Sequence, residues 1–202
     1  MTSHTRQNEI ALAKKSILKR GFKAQAERLA KEYREQLNIH PCGPLCAFKL
    51  ANHLKVPIYD VKEIVTQTND LKIFSGGNGG DCEWSALTMT TEIGNTIIIH
   101  NAFHSPARQQ SNVMHEIAHI LCKHELIEPE TDFTIPMGMR FFDEVQEEEA
   151  KCLGATLQLA SPCLLWAKKR NMTNEEIAAY FNASLEMVNY RINITGIARI
   201  IS

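Results

Sequence analysis

Residues 105–124 read SPARQQSNVMHEIAHILCKH and contain the order H-E-x-x-H between His115 and His119. Positions i and i+4 lie on one face of an α-helix, so both imidazoles can reach a single metal ion. Glu116 lies between them, near the same site, and can take a proton from a water molecule at the metal. The spacing therefore predicts a zinc site on this helix, with Glu116 as the catalytic base.

The flanking residues predict a buried helix. Ser105 is a good N-cap, Pro106 suits the first helical position, and no proline or glycine interrupts residues 107–124. Four apolar residues recur at helical spacing and form a stripe: Val113, Ile117, Ile120 and Leu121. Histidines and a glutamate on such a helix need partners, and a metal ion supplies them. The alternative is a structural helix whose histidines are satisfied by other side chains.

The composition excludes several classes of protein. The 202 residues carry a formal net charge of -1, and a protein built mainly to grip nucleic acid would show a strong basic excess. No apolar run approaches the roughly 20 residues needed to span a bilayer, and the polar N-terminus lacks a signal core. We therefore expect a cytoplasmic protein without membrane contact, in which the six cysteines stay reduced. The pair Cys42 and Cys46 lacks a second pair of ligands at metal-binding spacing.

The pattern of apolar residues predicts an α+β fold. A strand at Val56 to Asp60 is expected at a sheet edge because Pro57 cannot donate to a ladder. Two further strands, Trp84 to Thr90 and Thr96 to His100, form a hairpin directly before the helix. Charged residues of the first helices are expected to face solvent. Helices are predicted over 8–37, 45–54, 105–124, 139–160, 164–170 and 173–190.

A third zinc ligand must come from another part of the chain, because catalytic zinc takes three protein ligands and a water molecule. Glu147 is favoured, since Ala150 and Gly154 share its stripe and would let this helix approach the H-E-x-x-H helix closely. Glu148 is the alternative. Two other carboxylates are weaker candidates and suit a helix N-terminus: Asp143 and Glu144.

Further residues are candidates for the cleft. His124 lies about 140° around the helix from His119, so it is expected to support the ligands, to bind substrate or to end the helix. Arg108 lies seven residues before His115, on nearly the same face, and could bind substrate or a carboxylate. Three residues just before the helix are further candidates for the cleft: His100, Asn101 and His104. An oxidant sensor using Cys82 or Cys122 is a minor alternative.

Residues 172–191 have the pattern of a helix-turn-helix. Thr173 and Glu176 form a predicted capping box, and Ser184 is the expected cap of the next helix. That helix carries Glu186 and only Arg191 as a cation, which is poor for reading DNA. A helical packing subdomain is favoured, dividing the chain into a metallopeptidase domain at 1–165 and a helix-turn-helix-like subdomain at 166–202.

The stretch from Ser85 to Pro162 resembles the ImmA/IrrE-type zinc metallo-endopeptidases. In that family a hairpin leads into H-E-x-x-H-x-x-x-x-H, matched here by His115 to His124. A second helix reads E-x-x-A-[ND]-x-[FL]-A-x-x-L-L-x-P and is matched by Glu147 to Pro162. Lys151, Gly154 and Gln158 depart from that pattern.

The resemblance implies a zincin-like core, with a small antiparallel sheet beside the H-E-x-x-H helix. It implies His115, His119 and Glu147 as zinc ligands and Glu116 as catalytic base. It further implies an endopeptidase that cleaves a DNA-binding repressor or an antitoxin-like partner. The alternative function is a regulatory protein, stabilised by metal, that binds DNA or a repressor through its C-terminus without proteolysis. The sequence does not favour direct DNA binding.

Overall fold

The computed structural model describes residues 17–76, 82, 84–91, 93–125 and 143–197. Over these residues the chain forms three strands and nine helices, which confirms the α+β class. The predicted helical residues 8–16 and 139–142 lie outside the described residues. The elements are α1 (Phe22–Gln36), α2 (Ala47–His53), β1 (Ile58–Asp60), α3 (Val61–Ile64), α4 (Thr68–Phe74), β2 (Ala86–Thr90), β3 (Thr96–His100), α5 (Pro106–Cys122), α6 (Glu144–Gln158), α7 (Ser161–Lys168), α8 (Asn174–Phe181) and α9 (Leu185–Thr195).

The sheet has the order β1-β3-β2 and is mixed. Strands β2 and β3 form the predicted antiparallel hairpin, with Ala86 opposite His100. Strand β1 is at an edge, as Pro57 indicated, but it runs parallel to β3 with Ile58 opposite Ile98. The expectation of an antiparallel sheet is therefore wrong for β1. The parallel pairing of β1 and β3 is possible because α3, α4 and β2 lie between them in the chain, and parallel strands need a long connection.

Helix α5 begins as the sequence predicts and ends two residues early. Ser105 caps it by accepting from the backbone N–H of Arg108 at 3.4 Å, and Pro106 opens the first turn. The expected extension to His124 is wrong because Lys123 adopts a left-handed backbone, with φ 56°, and terminates the helix. The backbone N–H of His124 then bonds back to the carbonyl of His119 at 3.1 Å.

Helices α5 and α6 pack closely at Gly154. A Cβ built on this residue would lie 3.1 Å from the carbonyl oxygen of Met114 and 3.2 Å from the Cα of His115. Ala150, one turn earlier, is also completely buried. These small residues let α6 approach the backbone of α5 beside the H-E-x-x-H residues.

Two buried arginines hold the C-terminus of α6. Arg34 of α1 is fully buried and donates to the carbonyls of Leu157, at 3.0 Å, and Gln158, at 3.3 Å. Arg191 of α9 donates to the carbonyl of Leu159 at 2.7 Å. The last carbonyls of a helix have no hydrogen-bond partner within it, and cations near them interact favourably with the helix dipole. The expected solvated face of α1 is therefore wrong at Arg34.

The C-terminal helices have the caps that the sequence predicts. The capping box of Thr173 with Glu176 is formed, and Ser184 caps α9. Arg191, the single basic residue of α9, is 3 % exposed, so that helix does not present it to solvent. The helix-turn-helix-like assignment stays a prediction.

One core joins the N-terminal and C-terminal parts. The amide of Gln158 accepts from Ser111 at 3.0 Å and donates to the carbonyl of Asn182 at 2.9 Å, linking α5 to the turn between α8 and α9. The predicted boundary at residue 165 falls inside α7, and the division into domains stays a prediction.

Among the described helices, none has the length and apolarity that a membrane span requires. All six cysteines are free thiols.

The packing at Gly154 gives the first prediction. Alanine in place of glycine inside an open helix usually stabilises it by about 1 kcal/mol. Here the added methyl would press on the backbone of α5, so we expect Gly154→Ala to lower the free energy of unfolding by about 1 kcal/mol and Gly154→Val to lower it further. Urea denaturation measures both. Stabilisation by alanine to the extent seen at open sites would contradict the close packing.

Candidate metal centre

Three metal-binding side chains from α5 and α6 converge on one point. The Nε2 atoms of His115 and His119 are 3.0 Å apart. One carboxylate oxygen of Glu147 lies 3.3 Å from the Nε2 of His115, and the other lies 3.6 Å from the Nε2 of His119. The i,i+4 spacing on α5 brings the two rings together, and the close approach of α6 brings the carboxylate to them.

The donor set fits a tetrahedral zinc ion. With zinc–ligand bonds of about 2.0–2.2 Å, neighbouring ligand atoms are about 3.4 Å apart, and the three observed separations bracket that value. Within the described residues, this group of donors has three members: His115, His119 and Glu147. The side chains of His115 and Glu147 are 32 % and 49 % exposed, so the site opens to solvent on one side. An open site with three ligands is typical of catalytic rather than structural zinc.

The histidines also prepare Glu147 for this role. A hydrogen bond from His115 is the main cause that holds the pKa of the Glu147 carboxyl below its ordinary value, and the nearby imidazoles of His119 and His124 act in the same direction. Burial opposes this effect. The carboxylate is therefore ionised at neutral pH and can act as an anionic ligand.

Glu116 is held by the edge strand of the sheet. The hydroxyl of Thr88 in β2 donates to a carboxylate oxygen of Glu116 at 2.7 Å, and both residues are 8 % exposed. A short bond to a charged acceptor is among the stronger hydrogen bonds in proteins. The carboxylate that follows His115 on α5 is thus fixed in one orientation.

Comparison with known families identifies the family of the chain that carries this site. A family model, Peptidase_M78, described as the IrrE N-terminal-like domain, matches residues 67–193, which is more than half of the chain. The chain belongs to this family. The match confirms the resemblance drawn from the sequence and supports a metallopeptidase that uses a metal ion. Comparisons with curated proteins and with solved structures returned no significant match.

The matched region includes the other candidate ligands, which lie elsewhere on α6. Asp143 caps the helix by accepting from the backbone N–H of Gln146 at 2.7 Å, and Glu144 is exposed in the first turn. The charge of Glu148 acts on Tyr190 and Cys152, whereas the carboxylate of Glu147 lies within 3.6 Å of both histidine rings. The geometry therefore favours Glu147 over Glu148 as the third donor.

His124 lies behind the site rather than in it. Its Nδ1 is 2.9 Å from the Nδ1 of His119, and its Nε2 is 3.1 Å from a carboxylate oxygen of Glu149. The early end of α5 explains this position, because the chain turns back at Lys123. Glu149 was not among the residues singled out from the sequence. It follows Glu147 by two residues, which puts it on another face of α6.

Arg108 and His104 both contact the segment that leads into β2. Arg108 donates to the carbonyl of Cys82 at 3.3 Å, and the Nε2 of His104 lies 3.0 Å from the same oxygen. Asn101 is fully buried and donates to the carbonyls of Phe74 and Trp84. These contacts anchor the chain on either side of residues 77–81. Substrate binding by Arg108 stays a prediction.

His100 packs into the protein rather than toward the metal donors. It is 7 % exposed, and its ring meets that of Phe48 edge-on, with centroids 5.2 Å apart. Burial lowers the pKa of His100, with the charge of Asp60 acting the other way. Its role is therefore structural.

Cys122 gives little support to an oxidant sensor, and a sensor role of Cys82 stays a prediction. Burial, with the charge of Glu149 beside it, raises the pKa of the Cys122 thiol to about 11. Thiols react with oxidants as thiolates, so a raised pKa makes a slow sensor. Cys42 and Cys46 are not in either group of metal donors found among the described residues, and their sulfurs contact Pro162 and Gln110 instead.

The neighbouring glutamates provide a matched test of the third donor. We expect Glu147→Gln to weaken zinc binding by more than about 100-fold, because it removes the anionic ligand, whereas Glu148→Gln should leave zinc binding within about threefold of the parent. Competition with a chromophoric chelator measures both affinities. A larger loss in Glu148→Gln than in Glu147→Gln would contradict this assignment and shift the ligand by one residue.

Proposed function

We propose that the chain is a zinc-dependent endopeptidase with a zincin-like core, in which His115, His119 and Glu147 hold the metal. The observation that carries the proposal is the open group of three donors, with a fixed carboxylate, Glu116, on the same helix. Membership of a metallopeptidase family supports the same reaction class. A purely structural metal would favour four protein ligands in a closed site.

The residues around the site have separate tasks in hydrolysis. Bound zinc would supply Lewis-acid chemistry, lowering the pKa of a water molecule and polarising the carbonyl of the scissile peptide. Glu116 accepts the proton of that water as its oxygen attacks the carbonyl carbon. As the carbon–nitrogen bond breaks, Glu116 delivers the proton to the leaving amine. Thr88 keeps the carboxylate oriented for both transfers.

The substrate would lie along β2. In the described sheet β2 is an edge strand, and its Thr88 touches Glu116 directly. An extended peptide can pair with a sheet edge through its backbone, which needs little side-chain specificity near the cleaved bond.

We further propose that the substrate is a DNA-binding transcriptional repressor or an antitoxin-like partner. The resemblance to the ImmA/IrrE-type enzymes supports this class of substrate. The burial of Arg191 supports a protein partner over direct binding of DNA by α9, since that helix then offers no cation to a phosphate backbone.

The catalytic base can be tested without knowing the natural substrate. Glu116→Gln should keep zinc bound and lower cleavage by at least about 100-fold, because the amide cannot accept the proton. Thr88→Val should cause a smaller loss, since the carboxylate is present but less well oriented. A peptide library analysed by mass spectrometry measures cleavage, and chelator competition measures zinc. Full activity in Glu116→Gln would remove Glu116 from the mechanism.

The substrate class needs a separate experiment. The chain should be co-expressed with the product of each neighbouring gene, with Glu116→Gln as the matched inactive control. We expect a repressor among these products to be cut at a defined bond only in the presence of the parent chain. Relief of repression by both chains, with the repressor intact, would contradict proteolysis and favour the regulatory alternative.

A further inference from the structure

A chain of buried contacts leads away from the metal donors. His119 meets His124 through their Nδ1 atoms at 2.9 Å, and the Nε2 of His124 meets Glu149 at 3.1 Å. The ammonium of Lys19, whose side chain is exposed, lies 3.7 Å from the other oxygen of Glu149. The side chains of His119, His124 and Glu149 are 3 %, 5 % and 8 % exposed, so water has little access to these contacts.

These contacts define where the protons lie. An ionised carboxylate only accepts hydrogen bonds, so the Nε2 of His124 must carry the proton that faces Glu149. The Nδ1 of a neutral His124 is then an acceptor, and the facing Nδ1 of His119 must be the donor. The Nε2 of His119 is left with its lone pair on the side of His115 and Glu147.

We propose that Glu149 and His124 are positioning residues that fix His119 in the one tautomer able to bind the metal through Nε2. The inference deepens the proposed function and rests on its metal site. Metal-binding histidines commonly donate their other N–H to a carboxylate or carbonyl, which sets the tautomer and the ring orientation. Here a second histidine stands between the ligand and the carboxylate.

The backbone holds this relay, the chain of contacts from His119 through His124 to Glu149, in place. Lys123 ends α5 in a left-handed conformation, and the N–H of His124 bonds to the carbonyl of His119 at 3.1 Å. His124 is therefore tied to His119 through both its backbone and its ring. Glu149 is supplied by α6, so the packing of the two helices sets the relay as well as the ligand Glu147.

A second metal ion held by Cys122, His124 and Glu149 is the competing interpretation of the same atoms, since their donor atoms lie within 4.8 Å of one another. The contacts disfavour it. The carboxylate of Glu149 already faces an ammonium and an imidazole N–H, and the thiol of Cys122 has a raised pKa and stays protonated at neutral pH. A cation held by all three donors would have to remove the thiol proton of Cys122 and the imidazole proton that faces Glu149.

The parent chain itself provides the first test. The metal-free protein, labelled with ¹⁵N at its eight histidines, is studied at about pH 8, above the ordinary pKa of an imidazole. Two-bond ¹H–¹⁵N spectra report which ring nitrogen carries the proton. We expect His119 protonated at Nδ1 and His124 protonated at Nε2. Protonation of His119 at Nε2 would overturn the proposal.

The second test compares zinc affinities. His124→Ala should weaken zinc binding about 10–100-fold, the usual effect of losing a partner of a ligand. Glu149→Gln should weaken it about 10-fold and allow both tautomers of His119. His124→Gln should recover most of the loss, because its amide can accept from His119 and donate to Glu149. His53→Ala is the control, since His53 lies on α2 and bonds to Gln36.

Equal zinc affinities of His124→Ala and His53→Ala would overturn the proposal, as would a second equivalent of zinc in the parent that is lost in His124→Ala. Both readouts are made without substrate. A failure of peptidase activity therefore counts against the proposed function and leaves these tests intact, while a wrong tautomer counts against the relay alone.

Discussion

The close approach of α5 and α6 is the constraint on which the site depends. The metal donors are divided between the two helices, so their separation decides whether one ion can be shared. At Gly154 there is no room for a side chain, because a Cβ would lie 3.1 Å from the carbonyl of Met114. His115 of α5 lies next to that contact. Glu147 lies two turns before Gly154 on α6. The distance between the backbones of α5 and α6 thus sets the distance between Glu147 and the two histidines.

The far end of α6 is held by charge rather than by small residues. Its last carbonyls receive the guanidinium groups of Arg34, from α1, and of Arg191, from α9. Arg191 also binds Glu27 at 2.8 Å, so the first and last described helices meet at one point. Buried charges are costly unless they are hydrogen-bonded or paired. Arg34 donates to four backbone carbonyls, and Arg191 adds an ion pair with Glu27. The first and last described helices, α1 and α9, therefore both hold the helix that supplies Glu147 and Glu149.

Local sequence rules predicted the parts of the fold that depend on neighbours along the chain. The cap at Ser105, the capping box at Thr173 and the hairpin before α5 all follow from residues within a few positions of one another. The stripe of Ala150 and Gly154 also indicated the close helix pair. The missed features need distant partners. Two of the carbonyls that Arg34 donates to, those of Leu157 and Gln158, lie more than 120 residues along the chain. Glu149 gains its role only where the chain turns back at Lys123.

The central claim is that one metal ion is shared by two histidines of α5 and one glutamate of α6, with a position left for water. X-ray absorption at the zinc edge of the loaded protein tests it most directly. The account predicts a first shell of nitrogen and oxygen only, at about 2.0–2.2 Å, with the scattering pattern of two imidazoles. A sulfur shell at about 2.3 Å, which would place a cysteine such as Cys122 on the metal, would contradict it.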